Sequence, residues 1–131
     1  MKRNEGVNDR MSQTILIADD ERLLRRTLKR ALAREGFSIL VAENGTEAVQ
    51  LYSENKESID LCILDLNMPM LSGTEALHQI RSICDEANVV ISSGESKEEI
   101  LARCSPSRPN GILQKPFALD KLLQEVQSFL L

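Results

Sequence analysis

Four apolar runs in this chain each end in groups that can do chemistry. Leu61-Cys62-Ile63-Leu64 runs unbroken into Asp65, and Leu66-Asn67-Met68-Pro69 follows. Such a run fits a strand buried on both faces. Pro69 forbids further sheet pairing shortly afterwards, so Asp65 falls at the strand's carboxyl end. In open parallel sheets, ligands bind in the crevice outside those ends. Taken alone, Asp65 is equally well read as a loop carboxylate capping the next helix. A second run, Thr14-Ile15-Leu16-Ile17-Ala18, ends in Asp19-Asp20-Glu21. With the two strands as neighbours, at least three carboxylates converge on one crevice. Clustered like charges raise a pKa or demand a counter-cation. A hard divalent cation answers that demand, and Mg²⁺ characteristically takes one or two carboxylates plus phosphate oxygens. Helix capping accounts for one of Asp19 and Asp20 but not for both.

Downstream, Val89-Val90-Ile91 runs into Ser92-Ser93-Gly94, and Gly111-Ile112-Leu113-Gln114 runs into Lys115-Pro116-Phe117. Acid, metal, hydroxyl and ammonium are the parts needed to hold a phosphoryl group.

The elements that must position these groups follow from periodicity and breakers. Strands are expected at about 14–19, 38–41, 61–64, 89–92 and 111–114. Helices are expected at about 21–35, 46–55, 74–83, 97–103 and 119–130. The first helix has Leu24, Leu28 and Leu32 as its core stripe and Gly36 as its C-terminal cap. Ala48, Leu51 and Tyr52 face inward from the second, and Ala76, Leu77 and Ile80 from the third. Ser96 caps the fourth, whose apolar content is only Ile100, Leu101 and Ala102, so it should be the least stable element. Leu119, Leu122, Leu123, Val126 and Phe129 form one face of the last. His78, the one histidine, lies off its helix's apolar stripe and is expected in solvent. Residues 1–13 are polar and aperiodic, and read as a disordered leader or linker in which Met11 is an alternative start. The domain proper is 14–131. Strands alternating with helices mean an α/β fold, a parallel sheet with helices on both faces.

Composition bounds the rest. A chain of 131 residues is one domain with one sizeable core. Aromatics are 3% with no Trp, so that core should be aliphatic. The net charge of -4, with acids and bases interspersed, argues against a nucleic-acid surface. No stretch approaches the roughly 18 apolar residues of a membrane span, and no signal peptide opens the chain, so a cytoplasmic location is expected. Cys62, Cys84 and Cys104 show neither disulfide nor zinc spacing, and Cys62 reads as a small core hydrophobe.

Together these motifs resemble the receiver domain of two-component response regulators. The resemblance runs from about Thr14 to Leu131. It rests on Asp19-Asp20, on Asp65-Leu66-Asn67-Met68-Pro69 with Ser72-Gly73, on Ser93-Gly94 and on Lys115-Pro116-Phe117. The Ser-Gly-Glu and Gly-Ile-Leu-Gln-Lys-Pro-Phe stretches are most similar to receivers attached to hybrid sensor kinases. The resemblance implies a flavodoxin-like (βα)5 doubly wound sheet in strand order 2-1-3-4-5, which sets the first and third strands side by side. It implies that Asp65 is the phosphoacceptor for a phosphohistidine on a histidine kinase or histidine phosphotransfer domain, in a Mg²⁺-dependent reaction, with Mn²⁺ as a substitute. By the same likeness Asp20 binds the metal directly, Asp19 binds it through water, and Asn67 offers its backbone carbonyl. Lys115 neutralises a phosphoryl oxygen, although a plain salt bridge to the acid cluster is also open to it. Ser93, rather than Ser92, is the switch hydroxyl, because Gly94 after it leaves room for the phosphoryl group. Pro116 follows a bond that is often cis in such domains, and Asn67 and Glu95 fall where hydrolysis of the aspartyl phosphate is tuned.

One departure stands out. The position three residues before Lys115, usually Tyr or Phe, is Ile112. The resemblance puts the output surface around the 97–103 helix, the fifth strand and the last helix, with a downstream protein target and a monomer or weak dimer. Within these 131 residues no output domain is expected, and a stand-alone receiver and a piece of a hybrid kinase are both open. Two other readings compete. A pseudo-receiver, a protein-interaction module that never takes phosphate, should have lost an acid or the lysine, and none is lost. A hydrolase with an aspartyl-phosphate intermediate needs a second catalytic acid shortly after Asp65 and a cap domain. Asn67 stands two residues on, and no segment is long enough for a cap.

Overall fold

The computed structural model describes residues 13–130. The expected leader lies outside the described residues except for Gln13, as do Met11 and Leu131. Gln13 itself is tied down: its side-chain amide donates to the Leu130 carbonyl at 3.0 Å, and its carbonyl accepts from the Ser38 N–H at 2.9 Å.

Five strands alternate with five helices: β1 (Thr14–Ala18), α1 (Arg22–Arg34), β2 (Ser38–Ala42), α2 (Gly45–Asn55), β3 (Ile59–Asp65), α3 (Gly73–Ile83), β4 (Val89–Ser93), α4 (Lys97–Cys104), β5 (Gly111–Gln114) and α5 (Leu119–Leu130). The sheet is parallel throughout, in the order β2-β1-β3-β4-β5. The expected strand order and helix assignments therefore hold, with element ends moved by a residue or two.

The period-two alternation of each strand divides the core into two layers. From β1, Leu16 and Ala18 join Cys62 and Leu64 of β3 in a cluster closed by residues of α2, α3 and α4. From the same strands Ile15, Ile17, Leu61 and Ile63 face the other way, onto Leu28 and Leu32 of α1 and Leu122 and Val126 of α5. The largest fully buried side chains are all Leu or Ile, as the shortage of aromatics requires. Each contributes roughly 1.5–3 kcal/mol by leaving water.

Local chemistry sets the helix ends. Asn44 caps α2 by accepting from Glu47 N–H at 2.8 Å. Ser72 with Glu75 and Ser96 with Glu99 form reciprocal capping boxes at the starts of α3 and α4. Gly36, at φ 97°, ends α1 in the left-handed region that glycine enters without strain. The fourth helix is short, as expected, and only Ile100 and Cys104 of it are buried.

Four expectations need correction. The third strand begins at Ile59, two residues before its apolar run. Asp60 stands between Ile59 and that run, and its carboxylate accepts the Thr14 N–H at 2.8 Å across a shift in register between β1 and β3. Leu119 does not join the inner face of α5; it opens the helix and is 44% exposed. His78 is half-buried, with Nε2 2.8 Å from the Cys104 carbonyl at the end of α4. Charge is also less evenly spread than the composition implies, because α1, Arg-Leu-Leu-Arg-Arg-Thr-Leu-Lys-Arg-Ala-Leu-Ala-Arg, contains no acidic residue.

Candidate functional site

Because β1 and β3 are neighbours, with Ala18 opposite Leu64, the acids that follow them open onto one crevice. A carboxylate oxygen from each of Asp19, Asp20 and Asp65 lies within 4.8 Å of the others. Asp19 and Asp65 are buried and Asp20 is exposed. A set of three hard oxygen donors, two of them shielded from water, fits a divalent cation of the Mg²⁺ type.

Asp19 serves two neighbours. Its Oδ1 accepts the Glu21 N–H at 2.8 Å, closing a turn just ahead of α1. Glu21 is the N-cap and α1 has no side-chain cap, so the helix-capping role weighed from the sequence is not taken. Its Oδ2 accepts from Lys115 Nζ at 3.0 Å, and the same ammonium stands 3.6 Å from Asp65 Oδ1. Lys115 thus forms the salt bridge to the acid cluster that was one of its two expected roles. Asp65 is pushed up to about 6, first by burial and then by the charge of Asp19, against the pull of Lys115. Burial alone would lower the Lys115 ammonium. The hydrogen bond and charge of Asp19, with help from Asp65 and Glu21, raise it instead.

The backbone beneath Asp65 is held closely. Leu66 N–H donates to the Ser92 carbonyl at 2.9 Å, and Gly73 N–H to the Leu66 carbonyl at 2.8 Å. Lys115 N–H donates to the Ser93 carbonyl at 2.8 Å, and the Lys115–Pro116 bond is cis. Of the two serines, Ser93 accepts the Glu95 N–H on its hydroxyl at 3.1 Å, whereas the Ser92 hydroxyl is buried with no hydrogen-bond partner. A side chain at Gly94 would meet nothing within 4 Å, so the site opens there. The Asn67 N–H donates to Asp65 Oδ1 at 3.4 Å, a long contact. Ile112 is half-buried, pairs with Ile91 and packs on the α2–α4 layer.

Sequence reasoning missed two arginines. Arg25 donates to the Asp19 carbonyl at 2.8 Å. Arg103 of α4 forms an ion pair with Glu95 and donates to Asn67 Oδ1 at 3.2 Å. Arg25 lies in the turn after the acids and was open to detection. Arg103 meets Asn67 across 36 residues, and nothing local marks that contact.

A parallel sheet in this order, with an acidic crevice and a lysine at its carboxyl edge, defines a flavodoxin-like α/β domain. The family described as response regulator receiver domain matches residues 15–127, and the chain belongs to that family. It is 36% identical over 121 residues to the response regulator MprA of Mycobacterium sp. (strain KMS), covering 92% of this chain and 51% of that protein. The chain thus spans about half the length of that relative. Among solved structures it is similar to the CheX–CheY–BeF3–Mg²⁺ complex from Borrelia burgdorferi, with 32% identity, TM-score 0.82, and 88% and 87% of the two chains covered. It is also similar to the complex of the Saccharomyces cerevisiae histidine phosphotransfer protein Ypd1 with the receiver domain of Ssk1, with 25% identity, TM-score 0.82, and 91% and 89% covered.

Proposed function

We propose that this chain accepts a phosphoryl group on Asp65 from a phosphohistidine on a partner protein, with Mg²⁺, and uses the modification to alter a protein-binding surface. The observation that carries this reading is the arrangement of half-buried Lys115 between buried Asp19 and Asp65, with Lys115 Nζ 3.0 Å and 3.6 Å from the two carboxylates. A carboxylate oxygen of Asp65 attacks phosphorus as the phosphorus–nitrogen bond of the donor breaks, and the electron pair returns to the imidazole. Little bond-making is asked of the protein in such a loose transfer; position and charge supply most of the rate. Asp20 and Asp65, Asp19 through water, and the Asn67 backbone carbonyl would hold Mg²⁺, which when bound supplies positive charge against the phosphoryl oxygens. Lys115 contributes a fixed ammonium. Ser93, at the edge of the Gly94 opening, offers its hydroxyl to the same oxygens. The chain is a phosphoacceptor that assists its own loading, rather than an enzyme with a turned-over substrate.

The partners proposed are a histidine kinase or histidine phosphotransfer domain upstream and a protein target downstream. The Ypd1–Ssk1 complex supports the first of these. Among the described residues no helix is long and apolar enough to cross a membrane, and we place the activity in the cytoplasm. The test is direct. Acetyl phosphate with Mg²⁺ should add one phosphoryl mass to the chain, and Asp65→Asn should abolish the addition. A full mass shift in that variant would overturn the assignment. No shift in the unsubstituted chain, from either acetyl phosphate or a phosphorylated phosphotransfer domain, would favour the pseudo-receiver.

A further inference from the structure

Arg103 stands on the last turn of α4, outside every motif, yet it joins both rims of the site. One guanidinium nitrogen pairs with the Glu95 carboxylate and the other donates to Asn67 Oδ1 at 3.2 Å. Each of these partners is two residues beyond a central group and is bonded back to it. Asn67 N–H reaches Asp65 Oδ1 at 3.4 Å, and Glu95 N–H reaches the Ser93 hydroxyl at 3.1 Å. Gln114 further fixes the Glu95 carbonyl through a 2.8 Å bond from its side-chain amide. The planar fork of an arginine suits two acceptors at once, which a lysine's point charge does not.

We infer that Arg103 is a positioning residue that lengthens the life of the phosphoryl group on Asp65, by holding Asn67 and Glu95 closed across the mouth of the site. The inference rests on the reading of Asp65 as phosphoacceptor. Loss of the group is a hydrolysis: a water oxygen bonds to phosphorus, the bond from phosphorus to Asp65 breaks, and its electron pair stays on the carboxylate. Both water protons leave with inorganic phosphate. Asp65 is backed by the chain at Leu66 and Gly73 and flanked by Asp19 and Lys115, so water enters on the open side. That side is the space above Gly94 and beside exposed Asn67. The side-chain oxygens that rim it, on Asn67 and Glu95, are those that Arg103 occupies. Released, both are free to orient the water, and the Glu95 carboxylate is free to take its proton.

The test loads the full chain with acetyl phosphate and Mg²⁺, removes the donor, and follows loss of the phosphoryl mass with time. Arg103→Ala should lose it severalfold faster, short of the ~10²–10⁴ that a fully positioned proton acceptor contributes. Arg103→Lys should fall between the two. In an Asn67→Ala, Glu95→Gln background, Arg103→Ala should add no further acceleration. Arg103→Gln repeats the comparison with a good helix former should the alanine variant fail to fold. Equal or longer lifetimes in the Arg103 variants would overturn the inference while leaving the phosphoacceptor reading intact. So would undiminished acceleration in the double-variant background. Failure of the unsubstituted chain to load at all would overturn both.

Discussion

Gly73 lies so close under Asp65 that a methyl group on it would stand 2.2 Å from the Asp65 carbonyl oxygen and 2.8 Å from the Leu66 Cα. Both obstacles are backbone, so no flexible side chain can yield. Gly73→Ala should therefore cost about 1–3 kcal/mol or more, as forced overpacking does, and should slow loading of Asp65 by displacing it. Gly94 is the control. With open space around its missing side chain, Gly94→Ala should stay within about 0.5 kcal/mol of the parent. Urea unfolding of the two variants checks both, and equal stabilities would contradict the packing argument.

The raised pKa of Asp65 predicts a stability slope with a definite sign. Its folded value is about 6, against about 3.9 in an unfolded chain. Between these values the folded state binds more protons than the unfolded one, so stability falls as pH rises from about 4 to about 6, and stays lower above. The shift corresponds to roughly 2–3 kcal/mol. Asp65→Asn, isosteric and neutral, should therefore be more stable than the parent at pH 7 in EDTA and should lack this slope. Urea midpoints across pH 4–8 decide it, and a variant no more stable than the parent at pH 7 would refute the cost of holding this charge buried beside Asp19. By the same linkage, Mg²⁺ should bind more weakly below about pH 6.

Asp20 separates the cation's role from the fold's. It is exposed and belongs to neither core layer. Asp20→Ala should leave unfolding within about 0.5 kcal/mol of the parent. It should weaken Mg²⁺ binding by at least the ~10–100-fold lost when supporting groups of a metal site are removed. Loading from acetyl phosphate should fall with it and should cease in EDTA. Calorimetric titration with Mg²⁺ gives the first number, and unimpaired loading in EDTA would contradict the cation requirement.

Much of this architecture was legible because the informative residues are local. Four apolar runs ending in Asp19, Asp65, Ser93 and Lys115 announce strands and their chemistry at once. Ser72, Ser96 and Gly36 punctuate the helices by their own side chains or lack of one. What escaped depends on pairing between distant segments. Asp60 looks like a strand breaker until Thr14 N–H is found bonded to it. His78 looks free until the end of α4 arrives beside it. Arg103 reads as a solvated helix residue, and only the docking of α4 beside the β3–α3 loop gives it Asn67.

Ile112 bears on how a signal leaves the site. It is half-buried, opposite Ile91, and it lines a groove of about 750 Å³ together with Lys97, Leu101, Gln114 and Phe117. A ligand shifts a two-state equilibrium only by its differential affinity for the two states. A phosphoryl group on Asp65 would favour the arrangement in which Ser93 and Lys115 close on it. A ring at position 112 that moved inward at the same time would add apolar burial to that state, worth roughly 1.5–3 kcal/mol for a large side chain. Ile112 already packs on the α2–α4 layer, so its burial changes little between the states. Taking a population from 1:99 to 99:1 needs about 5.5 kcal/mol, and removing part of the ring's share leaves a mixture. Loading Asp65 should therefore give small or exchange-broadened NMR changes along α4, β5 and α5, beside large ones at Asp65. Ile112→Tyr should sharpen and enlarge them. Complete slow-exchange conversion of that face in the parent chain would show that another residue carries the switch.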